Sequence, residues 1–205
     1  MLTLHRAALL LADPAAPSIT DGAVLVDGAV VVAVGSYAPV EGARMREWDG
    51  LLTPGLLNPY GHWLLETAYH PDPREELGVE PLLPDFEVDD QRRGGSARRG
   101  LQRMLGYGTT AVAGPFSQAA VRTAVARSGL VALPGEGLAG GLDPLASAGP
   151  TRPAGLAGAV HRPLTVGGRA DFAVFDVRSV AELESGGAGS CLATVLGGRL
   201  LYRRR

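Results

Sequence analysis

The sequence predicts a two-part α/β protein, with β-rich pieces at both ends and a middle segment in which helices and strands alternate. Apolar runs rich in Val and Leu occupy residues 2–11 and 23–35, and similar runs return after residue 166. Between them, helix-like spacing of apolar residues alternates with short β-like runs. Alternation of this kind is typical of parallel βα units.

The second N-terminal run is predicted to fold back on itself as a β-hairpin. Asp27-Gly28 separates the Val-rich stretches 24–26 and 30–34. An Asp-Gly pair between two β-rich runs is a strong signal for a two-residue turn. The sequence therefore predicts two antiparallel strands here.

Two helices are predicted in the middle segment. The first spans residues 96–107, begins at the capping residue Ser96 and places its arginines away from its apolar stripe. The second spans residues 118–128 and ends at Gly129, because glycine readily adopts the conformation that follows a helix. A strand is predicted at residues 130–133, directly after the second helix.

Four segments resemble sequence patterns of the amidohydrolase superfamily. Residues 53–62 read Thr-Pro-Gly-Leu-Leu-Asn-Pro-Tyr-Gly-His, and residues 106–112 read Gly-Tyr-Gly-Thr-Thr-Ala-Val. Residues 166–176 carry Arg-Ala-Asp before an apolar strand, and residues 195–202 resemble a closing hairpin with two glycines at its turn. The flanking patterns are most similar to those of imidazolonepropionase and aminodeoxyfutalosine deaminase relatives.

This resemblance implies two structured parts, joined by a linker. Residues 1–53 and 160–205 form a β-sandwich-like composite domain, in which Asp171 is a structural landmark at the start of a strand. Residues 54–133 form a truncated (β/α) TIM barrel remnant of about three units, since a complete barrel of eight units takes about 250 residues. Residues 134–159 are rich in Gly, Pro and Ala and are predicted to be a linker.

The motif that holds a catalytic metal in the family is incomplete in this chain. The family's His-x-His places two imidazoles on one face of a strand, whereas this chain has Tyr60 and His62 at those positions. The resemblance implies that the remaining ligands come from barrel units after the third. Asp143 is the sole candidate for the family's aspartate, and no catalytic residue is assigned.

A separate metal site is an alternative. If a helix begins at His62, then Glu66 and His70 follow at intervals of four on the same face and offer two imidazoles and a carboxylate to one zinc or iron ion. The span from His62 to His70 is about 12 Å in a helix, so the helix must end before His70; Pro71 favours such an end. Otherwise His62 and Glu66 line a polar cleft or exchange a hydrogen bond.

Three functions are consistent with these features. The leading hypothesis is a non-catalytic, amidohydrolase-like binding or assembly module, a pseudoenzyme without a cofactor. The alternative is a metal-dependent hydrolase or deaminase that acts on the C–N bonds of a cyclic amidine or amine and uses one zinc or iron. The third is a small-molecule sensor in which Tyr60, Trp63 and Tyr69 stack on a planar heterocycle.

Composition and charge exclude some partners. The chain has a net charge of −2 and its apolar N-terminal stretch is too short to span a bilayer, so we expect a cytoplasmic protein that binds neither nucleic acid nor membrane. The single cysteine, Cys191, is expected to be buried and inert.

An open barrel remnant leaves an uncovered sheet edge. We expect a homodimer or a protein partner to cover it, unless the linker folds back over the sheet. The acidic segment 72–90 precedes an arginine-rich helix. It is either a solvated loop, or a lid or partner surface, and its charge can also pair with the arginines of a second copy.

Overall fold

The computed structural model describes residues 1–146 and 155–204. Its strands are β1 (Leu2–Leu10), β2 (Ile19–Asp27), β3 (Val30–Ser36), β4 (Arg44–Pro54), β5 (Leu56–Asn58), β6 (Thr109–Ala113), β7 (Val131–Leu133), β8 (Phe172–Phe175), β9 (Cys191–Leu196) and β10 (Arg199–Arg203). Its α-helices are α1 (Asp90–Leu105), α2 (Ala119–Ser128), α3 (Leu156–Ala159) and α4 (Val180–Gly186). Three short helical turns lie at Trp63–Thr67, Pro73–Glu75 and Ala188–Ser190.

Strands from both ends of the chain share one seven-stranded sheet, in the order β10-β9-β8-β4-β1-β2-β3. Strand β4 joins the two contributions, because it pairs in parallel with β1 and antiparallel with β8. The buried side chains on the inner face of this sheet, among them Leu10, Val24, Leu52 and Phe172, form one apolar core. The predicted composite β domain is therefore confirmed.

The predicted hairpin is present, and its turn helps to close the sheet. Asp27 pairs with Val30, which leaves two residues in the turn, and Gly28 has a φ of 58°. The segment before β8 hydrogen-bonds to β3, since Val31 N donates to Gly168 O. A Cβ at Gly198 would overlap the carbonyl of Gly28, so the turns β2–β3 and β9–β10 lie in direct contact.

The middle of the chain forms a second, parallel sheet in the order β5-β6-β7. Helix α1 connects β5 to β6 and α2 connects β6 to β7, which gives the predicted barrel remnant of three strands. Close contacts hold this sheet to the composite domain. Gly108, with a φ of 72°, lies against Phe175, because a Cβ there would be 2.7 Å from the ring.

Helix α1 begins earlier than predicted. Its N-cap is Asp89, whose side chain accepts a hydrogen bond from Arg92 N, so Ser96 lies inside the helix and not at its start. Ser96 is buried, and its hydroxyl accepts a hydrogen bond from His70 N at 2.8 Å. The prediction was wrong because two consecutive glycines, Gly94 and Gly95, weaken the helical pattern in that turn.

Residues 135–142 of the predicted linker lie against the carboxyl ends of β5 and β6, where Asn58 Nδ2 donates to Gly141 O and Leu142 O. Residues 147–154 of the linker lie outside the described residues. The linker prediction was wrong at its end, where Leu156–Ala159 form the short helix α3. Leu156 and Ala159 are buried there against an apolar cluster that includes Leu56.

Cys191 is buried at the start of β9, as predicted. Burial raises the pKa of its thiol to about 11, so the reactive thiolate is scarce at neutral pH. Within residues 1–146 and 155–204, none of the helices has the length and apolar character that a membrane crossing requires.

Candidate functional site at the carboxyl ends of the parallel strands

The candidate site starts where β5 ends, at Asn58. Ligands of open α/β sheets bind outside the carboxyl ends of the strands, and Asn58, Tyr60 and His62 follow each other there. The amide of Asn58 is fully engaged by the protein: its Oδ1 accepts from Tyr60 N at 2.8 Å, and its Nδ2 donates to Leu142 O at 3.0 Å and Gly141 O at 3.2 Å. Asn58 therefore ties the linker to the strand end.

His62 lies at the start of the five-residue π-helix Trp63–Thr67. Its Nδ1 is 2.6 Å from Pro115 O and 3.5 Å from a carboxylate oxygen of Glu66. Because a carbonyl oxygen only accepts, this contact puts a ring proton on Nδ1. The linker packs over this ring, since a Cβ on Gly137 would lie 3.2 Å from His62 Cδ2.

Glu66 is buried and bonded to the start of α2. Its carboxylate accepts from Ser117 Oγ at 2.6 Å and from Gln118 N at 2.7 Å. The amino-terminal end of a helix presents unpaired N–H groups and a partial positive charge, which stabilise a carboxylate there. The guanidinium of Arg93 supplies a nearby positive charge and donates to Ala68 O. Glu66 thus connects the end of β5 to α2.

His70 lies apart from this pair, in contact with α1. The helical turn ends at Ala68, before His70, as a shared ion would require, but His70 is then held against α1 by its contacts with Ser96 and Gly100. His70 Nε2 is 2.9 Å from Leu64 O, and its ring packs against Gly100, where a Cβ would be 2.6 Å from Nε2. Burial lowers the pKa of His70 to about 4.

The structure brings together two of the three predicted metal ligands, His62 and Glu66. A catalytic zinc usually has three protein ligands and a water. Among residues 1–146 and 155–204, no three side chains of His, Cys, Asp or Glu group closely enough to hold an ion. The described residues therefore do not fit a catalytic zinc of the usual kind. Asp143, the candidate for the family's aspartate, accepts backbone hydrogen bonds from Leu145 and Ala188 instead.

The three predicted pocket aromatics lie in two places. Tyr60 is buried in the apolar core beneath α1 and α2, and Trp63 packs against that core. Tyr69 instead packs edge-to-face on Phe86, with ring centroids 5.3 Å apart, and its hydroxyl donates to Glu75. In the described part of the chain, the ring contact of Tyr69 is with Phe86 and not with Tyr60 or Trp63.

The segment of residues 135–142, which we call the cover, lies across the strand ends. Three of its glycines make close contacts. A Cβ on Gly140 would overlap the ring of Tyr60, and one on Gly135 would lie 2.7 Å from Ala113 Cβ. The glycine-rich composition predicted a loop here, but its return to the strand ends depends on contacts more than 80 residues apart in sequence.

A scan against protein-family models finds no match, and no curated protein sequence matches either. Among solved structures, the chain is similar to a triazine hydrolase from Arthrobacter aurescens, with a TM-score of 0.48 and 22% identity over 64% of this chain and 34% of that chain. An ochratoxinase from A. niger gives a TM-score of 0.45 and 19% identity over 65% of this chain and 30% of that chain. An amidohydrolase from an environmental sample of the Sargasso Sea gives 0.45 and 23% over 65% and 33%.

This chain therefore spans about a third of the length of the solved structures that it matches. By name, two of these neighbours are a triazine hydrolase and an amidohydrolase.

Proposed function

We propose that this chain is a non-catalytic, amidohydrolase-like protein that acts as a binding or assembly module. The observation that carries the proposal is the cover. It lies where an α/β protein would bind a small ligand, and it is held there by Asn58 and by close packing on Tyr60 and His62.

The polar side chains at the strand ends support the same proposal, because the protein itself uses them. Glu66 fixes the start of α2, and Asn58 fixes the cover. His62 donates its Nδ1 proton to Pro115 O. Side chains with such partners stabilise the fold. If they were released from these partners to take part in a reaction, buried groups would be left without hydrogen bonds.

An assembly role also fits the edge of the parallel sheet. Within the described residues, β7 pairs with β6 and has no strand on its other side. An open strand edge presents unpaired N–H and C=O groups, which a second chain can pair with. A homo-oligomer or a protein partner at this edge is part of the proposal.

The proposal is tested by metal content. The purified, tag-free protein is incubated with zinc, iron or manganese, desalted and measured by elemental analysis, beside His62→Ala and the control His161→Ala. We expect no stoichiometric metal in any of the three. About one metal per chain that is lost in His62→Ala and kept in His161→Ala would overturn the proposal in favour of a metal-dependent hydrolase or deaminase. Turnover of cyclic amidines or amines would then be measured.

A further inference from the structure

An apolar groove lies on the outer surface between α1, α2 and β10. It has a volume of about 330 Å³, and its apolar lining includes Leu101, Leu105, Leu130 and Leu201. Leu201 is 41% exposed although its side chain is large and apolar. Leu101, Leu105 and Leu130 are buried beneath the groove, so Leu201 is the large apolar side chain exposed there.

Two arginines lie at the border of this groove, Arg98 from α1 and Arg127 from α2. Most arginines near α1 have partners: Arg92 pairs with Glu75, and Arg103 pairs with Glu80. Arg98 and Arg127 form no ion pair or side-chain hydrogen bond with any described residue. The groove therefore combines an apolar floor with two uncompensated positive charges.

A second surface of the same chain has the complementary character. We call residues 76–87 the acidic loop. Its apolar side chains are unusually exposed: 42% for Leu77, 73% for Val79 and 63% for Leu83. Its acids Glu76, Asp85 and Glu87 have no ion-pair or hydrogen-bond partner among the described residues. Apolar side chains between free carboxylates match an apolar groove between free guanidiniums.

The acidic loop is held on a different face of α1 from the groove. Backbone hydrogen bonds join Leu82 to Tyr69, and Arg103 Nη2 donates to Glu80 at 3.0 Å. The arginines at helix positions 92, 99 and 103 contact residues 70–80. At about 100° per residue, these positions lie about 140° around the helix from positions 98, 101 and 105, which line the groove. The acidic loop therefore does not line the groove of its own copy.

We propose that this protein self-associates by inserting the acidic loop of one copy into the groove of a second copy. Two copies can do so reciprocally, which doubles the contact and closes the assembly as a dimer. The proposal names a partner for the assembly role above and rests on that role. Because exposed charges contribute, the dimer weakens as salt is raised.

Sedimentation velocity over a range of protein concentrations tests the proposal. We expect a reversible dimer in the wild type at low salt and a dissociation constant about a hundredfold higher in Arg98→Glu/Arg127→Glu, where the groove repels the acidic loop. The matched control is Arg44→Glu/Arg178→Glu, two exposed arginines outside the groove with the same change in net charge. We expect this control to dimerise like the wild type. Circular dichroism checks that every variant is folded.

A charge exchange sharpens the test. The variant Glu76→Arg/Asp85→Arg/Glu87→Arg should also be monomeric, because its basic loop meets a basic groove. An equimolar mixture with Arg98→Glu/Arg127→Glu should recover the dimer, since each loop then meets a groove of opposite charge. A wild type that stays monomeric at every concentration, or a dimer that survives the groove variant, overturns the proposal.

The two proposals fail in different ways. A monomer without metal overturns self-association and leaves the non-catalytic function in place, with the groove open to another partner. Stoichiometric metal lost in His62→Ala overturns the function, whatever the sedimentation result.

Discussion

The seven-stranded sheet and the three-stranded sheet differ in how their neighbouring strands are connected. In the seven-stranded sheet, hairpins such as β2–β3 and β9–β10 join strands that are adjacent in sequence. In the three-stranded sheet, every pair is parallel, and each crossover passes through a helix. The smaller sheet has no hairpin, and it depends on contacts between successive units, including those between Gly55 and Thr110 and between Glu66 and Ser117.

This difference shows where the chain tolerates change. A hairpin is specified by its own turn and by the alternation of its side chains. The three-stranded remnant instead has only a few strands over which its apolar contacts are distributed. Its strand ends are occupied by the cover. A substitution that breaks one contact between units of the remnant should therefore lower the free energy of unfolding more than the loss of a helix cap does in either region.

Gly55→Ala is expected to have the largest effect. Gly55 joins β4 to β5, and a Cβ there would overlap the side chain of Thr110, whose own Cβ would be only 2.7 Å away. Because both residues belong to packed backbone segments, we expect the free energy of unfolding to fall by about 3 kcal/mol. Urea denaturation followed by tryptophan fluorescence measures the change.

The double variant Gly55→Ala/Thr110→Ala is the informative control, because it removes the overlapping Oγ1 and Cγ2 atoms. It should recover part of the lost stability, as neighbouring residues in a double-mutant cycle do. Gly186→Ala, at a site with no atom within 4 Å of the added Cβ, should change little. Equal losses in the single and double variants would show that the contact with Thr110 is not the cause.

Glu66→Ala is expected to have the next largest effect. It removes a buried carboxylate and leaves Ser117 Oγ and Gln118 N without their acceptor. Leaving a buried donor without its acceptor costs about 1–3 kcal/mol, so we expect a loss of about 2 kcal/mol. Glu41→Ala, an exposed acid without a partner among the described residues, is the control and should be neutral. A neutral Glu66→Ala would contradict a structural role for this carboxylate.

The hairpins of the seven-stranded sheet were predictable because their signals are local. The Asp27-Gly28 pair fixes the hairpin, and the apolar strand after Asp171 is explicit in the sequence. Asp171 is structural, as predicted: it is 3% exposed, and its Oδ1 accepts from Gly197 N at 2.7 Å at the β9–β10 turn. The parallel strand order was also predictable, since alternating helices and strands favour it.

The candidate site was harder to predict because its geometry comes from remote partners. The spacing of His62 and Glu66 by four residues correctly predicts their proximity, at 3.5 Å. The same spacing does not predict the position of His70. The helical turn ends at Ala68, and His70 then contacts Ser96 and Gly100 of α1. No local sequence pattern predicts that Gly140 contacts the ring of Tyr60.

Each sheet region contains a buried histidine, so the dependence of stability on pH can be compared between the two regions. Burial, with a smaller effect of Arg46, lowers the pKa of His5 in the seven-stranded sheet to about 3, and burial lowers that of His70 beside the remnant to about 4. Both folded values lie below the unfolded value of about 6.5. The unfolded state therefore binds more protons below pH 6.5, and stability is lost as the pH falls from about 6.5 toward 4.

We expect each histidine to contribute about 1.4 kcal/mol per pH unit in this range. His5→Asn keeps an acceptor for Trp48 Nε1, and His70→Gln keeps a donor for Leu64 O. Each variant should therefore flatten the dependence of unfolding free energy on pH between 4 and 6.5 by about one proton. A slope that is unchanged in either variant would show that the histidine concerned does not titrate in that window.

Helix caps are expected to have the smallest effects and to be equal in the two regions. Asp89 caps α1 by accepting from Arg92 N at 2.8 Å, and Ser179 caps α4 by accepting from Glu182 N at 3.1 Å. Because a cap satisfies a local donor whatever the helix packs against, Asp89→Ala and Ser179→Ala should each lower the unfolding free energy by about 1 kcal/mol. Asp89→Asn and Ser179→Thr retain an acceptor and should recover most of it.

Hydrogen exchange of the backbone amides then shows whether the effect stays local. Faster exchange should be confined to the first turn of the helix that lost its cap. If Asp89→Ala also exposes the amides of Tyr69 and Leu82, the cap would be coupled to the acidic loop through Arg92, which pairs with Glu75. The loss of stability would then exceed that of Ser179→Ala, because α1 carries the contacts of a whole loop and α4 does not.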